Sequence, residues 1–264
     1  MSSIAPRIGV FAHMFHAPLF AEMRDYLLNI PGRNDLYLST CTSENFIALK
    51  ELFAGWSGRV DVCVVPNRGR DIAPKLITFR ADHAAYDYVL HIHTKNNAEW
   101  RRFLLERLLG SRDWVERRII YGFQNDPTLG MVAPEYWPPI KTWAVWGPNR
   151  ITGEGLLARI SVSPFDLRGL EFPTGAMFWA RPAALKPIFA FGLTFNDFPP
   201  EPIGGDGTLA HAVERLFFIA CEVAGYRWKM VTVPEGFLTS YRIYHPAAPE
   251  CERRTRNAVE ALTA

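Results

Sequence analysis

Residues 60–96 read VDVCVVPNRGRDIAPKLITFRADHAAYDYVLHIHTKN, and this stretch contains the pattern that decides the fold. It starts with a largely apolar run over residues 60–66, typical of a strand, and the polar turn NRGRD follows at residues 67–71. A Pro-containing segment then predicts a helix, and a second apolar run over residues 88–94 predicts another strand. Strand, helix and strand in this order form the repeating unit of a parallel sheet.

The same alternation extends towards the N-terminus, with strands predicted over residues 8–13 and 35–40 and a helix after each. Later in the chain we predict helices over residues 99–109, 114–123 and 206–224, and strands over residues 129–134, 174–180 and 229–233. Residues 135–173 are rich in Pro, Gly and Trp, which predicts a long excursion over the sheet. The sequence therefore predicts an α/β fold with a mostly parallel sheet flanked by helices. We expect one domain over residues 1–245 and a polar C-terminal tail over residues 246–264.

Composition excludes several classes of protein. The chain has 264 residues, of which 29 are basic and 27 acidic, so its formal net charge is only +2. This balance argues against a protein that binds nucleic acid through its net charge. The four cysteines form no CxxC pair, which argues against a zinc knuckle. No run approaches the roughly 18 apolar residues of a membrane span, and the first apolar run is too short for a signal peptide. We therefore predict a cytoplasmic protein without a transmembrane segment, and leave open a peripheral position at the inner face of the cell membrane.

Polar residues follow the predicted strands of the first half, namely His13, Thr40, Asn67 and the run His93-Thr94-Lys95. In sheets of this kind, ligands bind beyond the carboxyl ends of the strands. The turn NRGRD adds two cations and an acceptor, and Gly69 allows it to be tight. The alternative for this turn is that Asp71 only caps the next helix while Arg68 and Arg70 lie in solvent.

The order of these parts resembles that of nucleotide-sugar glycosyltransferases with a single Rossmann-like domain, the GT-A-like fold. In those enzymes the corresponding strand ends in Asp-x-Asp, and the two carboxylates hold a divalent metal against the donor diphosphate. Here the strand ends in His91-Ile92-His93-Thr94-Lys95, so the carboxylate pair is absent. His91 and His93 share one face of the strand and could ligate a metal, but magnesium and manganese prefer oxygen ligands. The alternative for His91 is a core histidine.

Lys95, together with Thr94, could instead bind the diphosphate as a fixed cation. We therefore favour a site without a metal or another cofactor, and a divalent metal remains the alternative. The resemblance implies that polar residues at the strand ends bind the donor, which gives seven candidates: His13, Asn67, Arg70, Asp71, His93, Thr94 and Lys95.

A second candidate stretch is FNDFPPEPIGGDGTLAHAVERLF at residues 195–217. Asp206 precedes the long predicted helix, where it is expected to be the N-cap or an acid of the first turn. An inverting glycosyltransferase needs a carboxylate that deprotonates the acceptor hydroxyl, and the resemblance implies that Asp206 is this catalytic base, with Glu201 as the alternative. His211 and Glu214 lie one and two turns inside the predicted helix, where we expect them to pack or pair.

The stretch FPTGAMFWARPAAL at residues 172–185 supplies candidates for the acceptor side. A Gly inside a strand indicates a close approach of the backbone by a ligand. We predict that Thr174 and Gly175 line the acceptor site, with Trp179 or Phe178 as a platform on which a sugar stacks. The alternative is a buried strand with aromatic packing.

Five segments together carry a more specific resemblance: NRGRDIAP, YDYVLHIHTKN, LGMVAP, FPTGAMFWARPAAL and DGTLAHAVERLF. They resemble the rhamnan synthesis protein F family of bacterial glycosyltransferases, from about Arg7 to about Tyr244. The segment from Glu201 to Asp206 resembles the family's approach to its helix with altered spacing, which leaves the choice of base between these two residues open.

The family implies transfer of a sugar, often L-rhamnose, from a dTDP-, GDP- or UDP-sugar. The acceptor would be a growing cell-surface polysaccharide or lipopolysaccharide, as a glycan or a lipid-linked glycan, and nucleic acid is not an expected partner. The alternative is a non-catalytic module of the same fold that binds a nucleotide or a carbohydrate. A Rossmann dehydrogenase fits poorly, because no GxGxxG motif follows the first strand.

Overall fold

A computed structural model of the chain describes residues 5–162 and 170–232, together with the backbone of a short strand at residues 243–244. Eight strands form one sheet in the order β3-β2-β1-β4-β6-β5-β7-β8. The strands are β1 Ile8–His13, β2 Asn34–Thr40, β3 Val60–Val64, β4 Tyr88–His93, β5 Leu129–Pro134, β6 Phe178–Ala180, β7 Arg227–Val231 and β8 Ile243–Tyr244. The predicted tail at residues 246–264 lies outside the described residues.

The first half of the sheet is parallel, as the sequence predicts. Strand β1 pairs in parallel with β2 on one side and with β4 on the other, and β2 pairs in parallel with β3. Strand β6 is antiparallel to both β4 and β5, and β7 is parallel to β5. The predicted α/β class with a mostly parallel sheet is confirmed. The position and the direction of β6 are additional findings.

Helices cover both faces of this sheet. They are α1 Phe20–Leu27, α2 Ser43–Leu52, α3 Ile72–Ile77, α4 Ala98–Leu109, α5 Arg112–Trp114, α6 Tyr121–Asn125, α7 Arg150–Ala158, α8 Lys186–Ala190, α9 Leu209–Glu214 and α10 Phe217–Val223. The π-helical turns Val115–Ile120 connect α5 to α6. One apolar cluster contains Val89 and Phe178, while another contains Leu90 and Trp179. Because successive side chains of a strand point to opposite faces, these alternating residues show that both faces of the sheet are buried.

The prediction of one long helix over residues 206–224 is wrong. The structure has two short helices there, α9 and α10, which are interrupted at Arg215 and Leu216. Thr208 occupies the N-cap position of α9, and its Oγ1 atom lies 2.8 Å from Nδ1 of His211. Asp206 therefore lies in the loop before the helix and does not cap it.

The strand predicted over residues 174–180 is shorter than expected, since only its last three residues pair with their neighbours. The turn before it contains Gly175 with a φ of 82° and Ala176 with a φ of 50°. This left-handed backbone favours glycine, which explains Gly175 by backbone conformation and not by its place in a strand. The turn brings residues 174 and 175 to the end of the sheet that carries the polar strand ends.

A candidate active-site cleft at the carboxyl ends of β1 and β4

A cleft of about 950 Å³ opens at the carboxyl ends of β1 and β4. The order of the strands reverses there, because β2 and β3 lie on one side of β1 and β4 lies on the other. Open α/β sheets bind ligands at such a reversal. All seven predicted donor-binding residues line this cleft, and so do the predicted base candidates and two of the three predicted acceptor residues: His13, Asn67, Arg70, Asp71, His93, Thr94, Lys95, Glu201, Asp206, Thr174 and Gly175.

Asp71 lies at the centre of a buried charged group. Its Oδ2 atom lies 3.1 Å from Nζ of Lys75 and 3.2 Å from Nδ1 of His93. The Lys75 ammonium also donates a hydrogen bond to the carbonyl of Ala176. Asp71 occupies the N-cap position of α3, but its side chain makes no capping hydrogen bond. The alternative that Asp71 is only a helix cap is therefore wrong.

Burial and neighbouring charges shift the pKa values of these side chains. Burial would raise the pKa of the Asp71 carboxyl, but its contacts with His93 and Lys75 lower that pKa well below its usual range. Burial also lowers the pKa of Lys75, an effect that the negative charge of Asp71 opposes. Desolvation lowers the pKa of His93 to about 3 and that of His13 to about 4. At neutral pH the floor of the cleft thus holds an ion pair beside two neutral imidazoles.

The residues that follow β4 fix the rim of the cleft. The Thr94 hydroxyl accepts hydrogen bonds from the backbone N–H of Phe15 at 2.9 Å and of His16 at 3.0 Å. Thr94 therefore holds the loop that follows β1. Nζ of Lys95 lies 3.5 Å from the centroid of the Trp100 ring, within the range of a cation–π contact. Burial lowers the pKa of Lys95, while Asp71 and Glu214 oppose this shift.

The two arginines of the NRGRD turn contact the loop that leads to α9, so they do not lie free in solvent. Arg68 donates from its guanidinium to the Phe198 carbonyl at 3.0 Å, and Arg70 donates to the Gly204 carbonyl at 2.9 Å. The backbone N–H of Arg70 donates to Oε1 of Glu201 at 3.2 Å, and the N–H of Ile203 donates to Oε2 at 2.9 Å. The Glu201 carboxylate therefore connects the backbone of the NRGRD turn, at Arg70, to the backbone of the loop before α9, at Ile203.

Asp206 also lines the cleft, in a partly exposed position. It accepts a hydrogen bond from Nδ2 of Asn149 at 2.7 Å, and its Oδ1 lies 3.3 Å from the Arg215 guanidinium. Burial would raise the pKa of Asp206, but the hydrogen bonds from Asn149 and the Gly207 backbone, together with Arg215, lower it. The Asp206 carboxylate is consequently well satisfied and weakly basic.

Thr174 and Gly175 lie deeper in the cleft. The Oγ1 atom of Thr174 is buried without a hydrogen-bond partner among the described residues. The backbone N–H of Gly175 donates to Oε1 of Glu214 at 2.7 Å. This hydroxyl therefore keeps an unused hydrogen-bonding capacity in the wall of the cleft.

The prediction that Trp179 lines the acceptor site is wrong. Its indole is completely buried, and Nε1 donates to the Leu108 carbonyl at 3.1 Å. Phe178, the other candidate, is also buried, and its ring stacks on His91 at a centroid distance of 5.0 Å. Because helices cover both faces of the sheet, each face of β6 is core, and neither aromatic side chain reaches the cleft.

His91 and His93 share a face but have separate partners. Nε2 of His91 lies 2.9 Å from Nε2 of His83 in the core, whereas His93 contacts Asp71. His91 is thus a core histidine, which was the alternative considered from the sequence. Within residues 5–162 and 170–232, no group of three or more His, Cys, Asp or Glu side chains is arranged to hold a metal.

The sequence interpretation missed one acidic residue of the cleft, Glu214. It lies at the C-terminal end of α9 and lines the cleft beside Gly175. Burial raises the pKa of its carboxyl, the charge of Asp71 adds to this effect, and Lys95 opposes it. Because the predicted helix continued through residue 214, no local signal marked Glu214 as the end of a helix beside the cleft.

The long excursion after β5 supplies the apolar part of the cleft. Ile140, Trp143 and Val145 line it together with Phe172, and the Trp143 side chain is 75% exposed.

In the part of the chain that the structure describes, no helix is both long and apolar enough to cross a membrane.

A comparison with protein families confirms the sequence resemblance. The family model described as rhamnan synthesis protein F matches residues 2–226. The uncharacterized protein WxcX of Xanthomonas campestris pv. campestris, from strains B100 and ATCC 33913, is 36% identical over 231 residues, which is 84% of this chain and 32% of WxcX. The chain thus spans about a third of the length of these curated relatives. A crystal structure of S. aureus TarS 1-349 aligns over 97% of this chain and 65% of its own, with a TM-score of 0.45 and 11% identity.

Proposed function

Because this chain belongs to the rhamnan synthesis protein F family, we propose that it is a glycosyltransferase of cell-surface polysaccharide or lipopolysaccharide assembly. It transfers a sugar, L-rhamnose or a similar deoxysugar, from a nucleotide diphosphate donor to a glycan or lipid-linked glycan. The observation that carries the proposal is the cleft at the reversal point of the sheet, lined by polar strand ends and by Lys95. A nucleotide-sugar donor implies a reaction in the cytoplasm, at the inner face of the membrane if the acceptor is lipid-linked.

The donor diphosphate binds over the ends of β1 and β4, with Lys95 as its cationic partner. Lys95 lines the cleft, and its ammonium is oriented by the Trp100 ring. The neutral His13 and His93 beside it add no charge to the site. Asn67 and Arg70 lie on the exposed side of the same cleft, within the turn that follows β3.

We propose that donor binding needs no divalent metal. Asp71 contacts Lys75 and His93 through its Oδ2 atom, so this oxygen is not free for a metal, and the Lys75 ammonium already compensates the charge of the carboxylate. The test is donor affinity with and without EDTA, and we expect the same dissociation constant in both. A loss of affinity in EDTA that manganese restores would contradict the metal-free site.

The acceptor occupies the other half of the cleft, between Thr174 and the excursion that carries Trp143. Thr174 offers an unpartnered hydroxyl, and Phe172 and Trp143 offer the apolar surface on which sugars pack. A 6-deoxysugar such as L-rhamnose has a methyl group in place of a hydroxymethyl group, and this methyl group of the transferred sugar fits an apolar wall. Attack from this side, opposite the leaving diphosphate, inverts the configuration at the anomeric carbon.

A panel of dTDP-, GDP- and UDP-sugars tests the function. A donor that is recognised should raise the free energy of unfolding by about 2.7 kcal/mol at a hundredfold excess over Kd, which a thermal shift detects. Release of the nucleoside diphosphate in the presence of a glycan acceptor then measures turnover. The missing Asp-x-Asp pair favours the second candidate, a non-catalytic binding module. Donor binding without turnover on any acceptor would support that module.

A further inference from the structure

We propose that Glu214, at the C-terminal end of α9, is the general base that accepts the proton of the acceptor hydroxyl. The inference rests on the proposed glycosyl transfer and assigns its proton acceptor to a residue that sequence reasoning placed among packing side chains. Glu214 lines the cleft beside Thr174 and Gly175, on the side where the acceptor binds.

The geometry of Glu214 suits a base. Its Oε1 atom accepts a hydrogen bond from the N–H of Gly175 at 2.7 Å, which fixes the orientation of the carboxylate. Its Oε2 atom has no hydrogen-bond partner among residues 5–162 and 170–232, and it is not one of the buried unpartnered atoms of that part of the chain. One oxygen therefore anchors the group, and the other is free to accept a proton from a bound ligand.

The two carboxylates predicted from the sequence lack this freedom. Each oxygen of Glu201 accepts a backbone N–H, one from Arg70 and one from Ile203. Asp206 is held by Asn149 and by the Arg215 guanidinium. The hydrogen bonds to Asp206 stabilise its ionised form and lower its pKa, and neither oxygen of Glu201 is left free for a ligand.

The charged groups around Glu214 also favour its role as the base. Its neighbours are the carboxylate of Asp71, the ammonium groups of Lys75 and Lys95 and the guanidinium of Arg215. Asp71 is kept ionised by Lys75, whereas burial and the charge of Asp71 raise the pKa of Glu214. Two carboxyl groups whose pKa values are pushed apart have different roles, and the group with the raised pKa is the stronger base.

The proposed transfer needs no reactant other than the donor and the acceptor. The acceptor oxygen forms a bond to the anomeric carbon, and its proton moves to Oε2 of Glu214. The bond between the anomeric carbon and the donor phosphate oxygen breaks, and its electron pair leaves with the nucleoside diphosphate. Lys95 stabilises the negative charge that develops there.

The test compares Glu214→Gln with wild type in the turnover assay. The glutamine keeps an oxygen for the Gly175 N–H but cannot accept the proton. We expect turnover to fall by roughly 10²–10⁴, the usual share of general base catalysis, with an unchanged donor dissociation constant.

In wild type, turnover should fall at acidic pH as Glu214 becomes protonated, and this acid limb should be absent in the variant. Glu116→Gln, a change at an exposed carboxylate outside the cleft, is the matched control and should behave as wild type.

Glu214→Asp provides a second variant if the glutamine disturbs folding. It keeps a carboxylate, so turnover should be reduced by less while the acid limb remains. The inference is overturned if Glu214→Gln retains wild-type turnover, or if Asp206→Asn or Glu201→Gln removes the acid limb instead. Wild type that binds a donor and transfers to no acceptor would overturn the proposed function as well, and this outcome is visible before any variant is made.

Discussion

The ammonium group of Lys75 lies 3.1 Å from the carboxylate of Asp71, one turn apart along the chain, beneath the floor of the cleft. Only 2% of the Lys75 side chain is exposed, and its Nζ lies 5.5 Å from the centroid of the Phe178 ring. Both charges have left water, so each depends on the other for compensation. This pair connects the stability of the fold to the charge of the site.

We expect Lys75→Met to lower the free energy of unfolding by about 3–5 kcal/mol, because it leaves the Asp71 carboxylate buried without its main cation. Urea unfolding measures this loss. The double variant with Asp71→Asn should recover part of it, since no uncompensated charge remains. As a control, Arg117→Ala breaks an exposed ion pair with Asp113 and should cost less than about 1 kcal/mol. Equal stability of Lys75→Met and wild type would show that the pair is not the main compensation of Asp71.

We expect Lys95→Ala to weaken binding of the nucleoside diphosphate by about 1.5–3 kcal/mol, which is roughly 10–150-fold in Kd. The lost interaction is a hydrogen bond between two charged groups in a partly desolvated cleft. Isothermal titration with the free diphosphate measures it. Lys141→Ala removes an exposed lysine outside the cleft and is the matched control. A similar loss in both variants would mean that the effect is one of overall charge.

Acid should destabilise the protein through its buried histidines. Burial lowers the pKa of His13 and His83 to about 4, that of His93 to about 3, and that of His91 well below its usual value. In the unfolded chain these groups have a pKa of about 6.5. Below pH 6.5 the unfolded state binds protons that the folded state does not, so stability falls as the pH drops towards 4. The slope is about 1.4 kcal/mol per pH unit for each histidine, and no such loss is expected above pH 6.5.

Urea midpoints at several pH values between 7.5 and 5 measure this dependence. His91→Phe provides the comparison, since it replaces one buried imidazole with a ring that suits the stack of Phe11 and Phe178. Its curve should be shallower than that of wild type. A flat wild-type curve across this range would contradict the idea that these histidines are held neutral.

We expect Gly69→Ala to destabilise the protein more than Gly55→Ala, although both glycines have a positive φ, of 66° and 79°. The backbone cost of such a conformation is about 1–2 kcal/mol for any L side chain and is common to both. A Cβ at position 69 would also lie 2.5 Å from Cδ1 of Phe198, whereas nothing lies within 4 Å at position 55. Urea unfolding gives the free energy of unfolding of each variant, and the difference between the two losses measures the cost of this clash. Equal losses would show that Phe198 can move aside.

The predicted parallel half of the fold depends on patterns that a sequence displays directly. Strand β3 is a partly buried edge strand that contains Asp61. Strands β1 and β4 are buried on both faces, and they are therefore largely apolar up to the polar residues at their ends. The same physics explains the error at Trp179. An aromatic residue in such a strand is core on either face, and alternation along the strand does not distinguish the cleft from the interior.

Contacts between distant residues could not be predicted. The interruption between α9 and α10 involves Arg215, whose guanidinium donates to the carbonyls of Val145 and His211. Residue 145 belongs to the excursion, and no local pattern connects it to position 215. The role that we propose for Glu214 depends on this interruption and on the turn at Gly175, which is also remote in sequence.

The position of β6 has a consequence for how the chain acquires its fold during synthesis. Strands β1 to β4 lie within residues 8–93 and can pair as soon as they leave the ribosome, but β4 receives its outer neighbour only when Phe178–Ala180 has been made. Until then the backbone of Tyr88–His93 is an open sheet edge in the middle of the future core. Such an edge is a template for pairing with another chain. Slow translation between residues 93 and 178 would therefore favour aggregation of the nascent protein, and chaperone protection is most valuable in that interval.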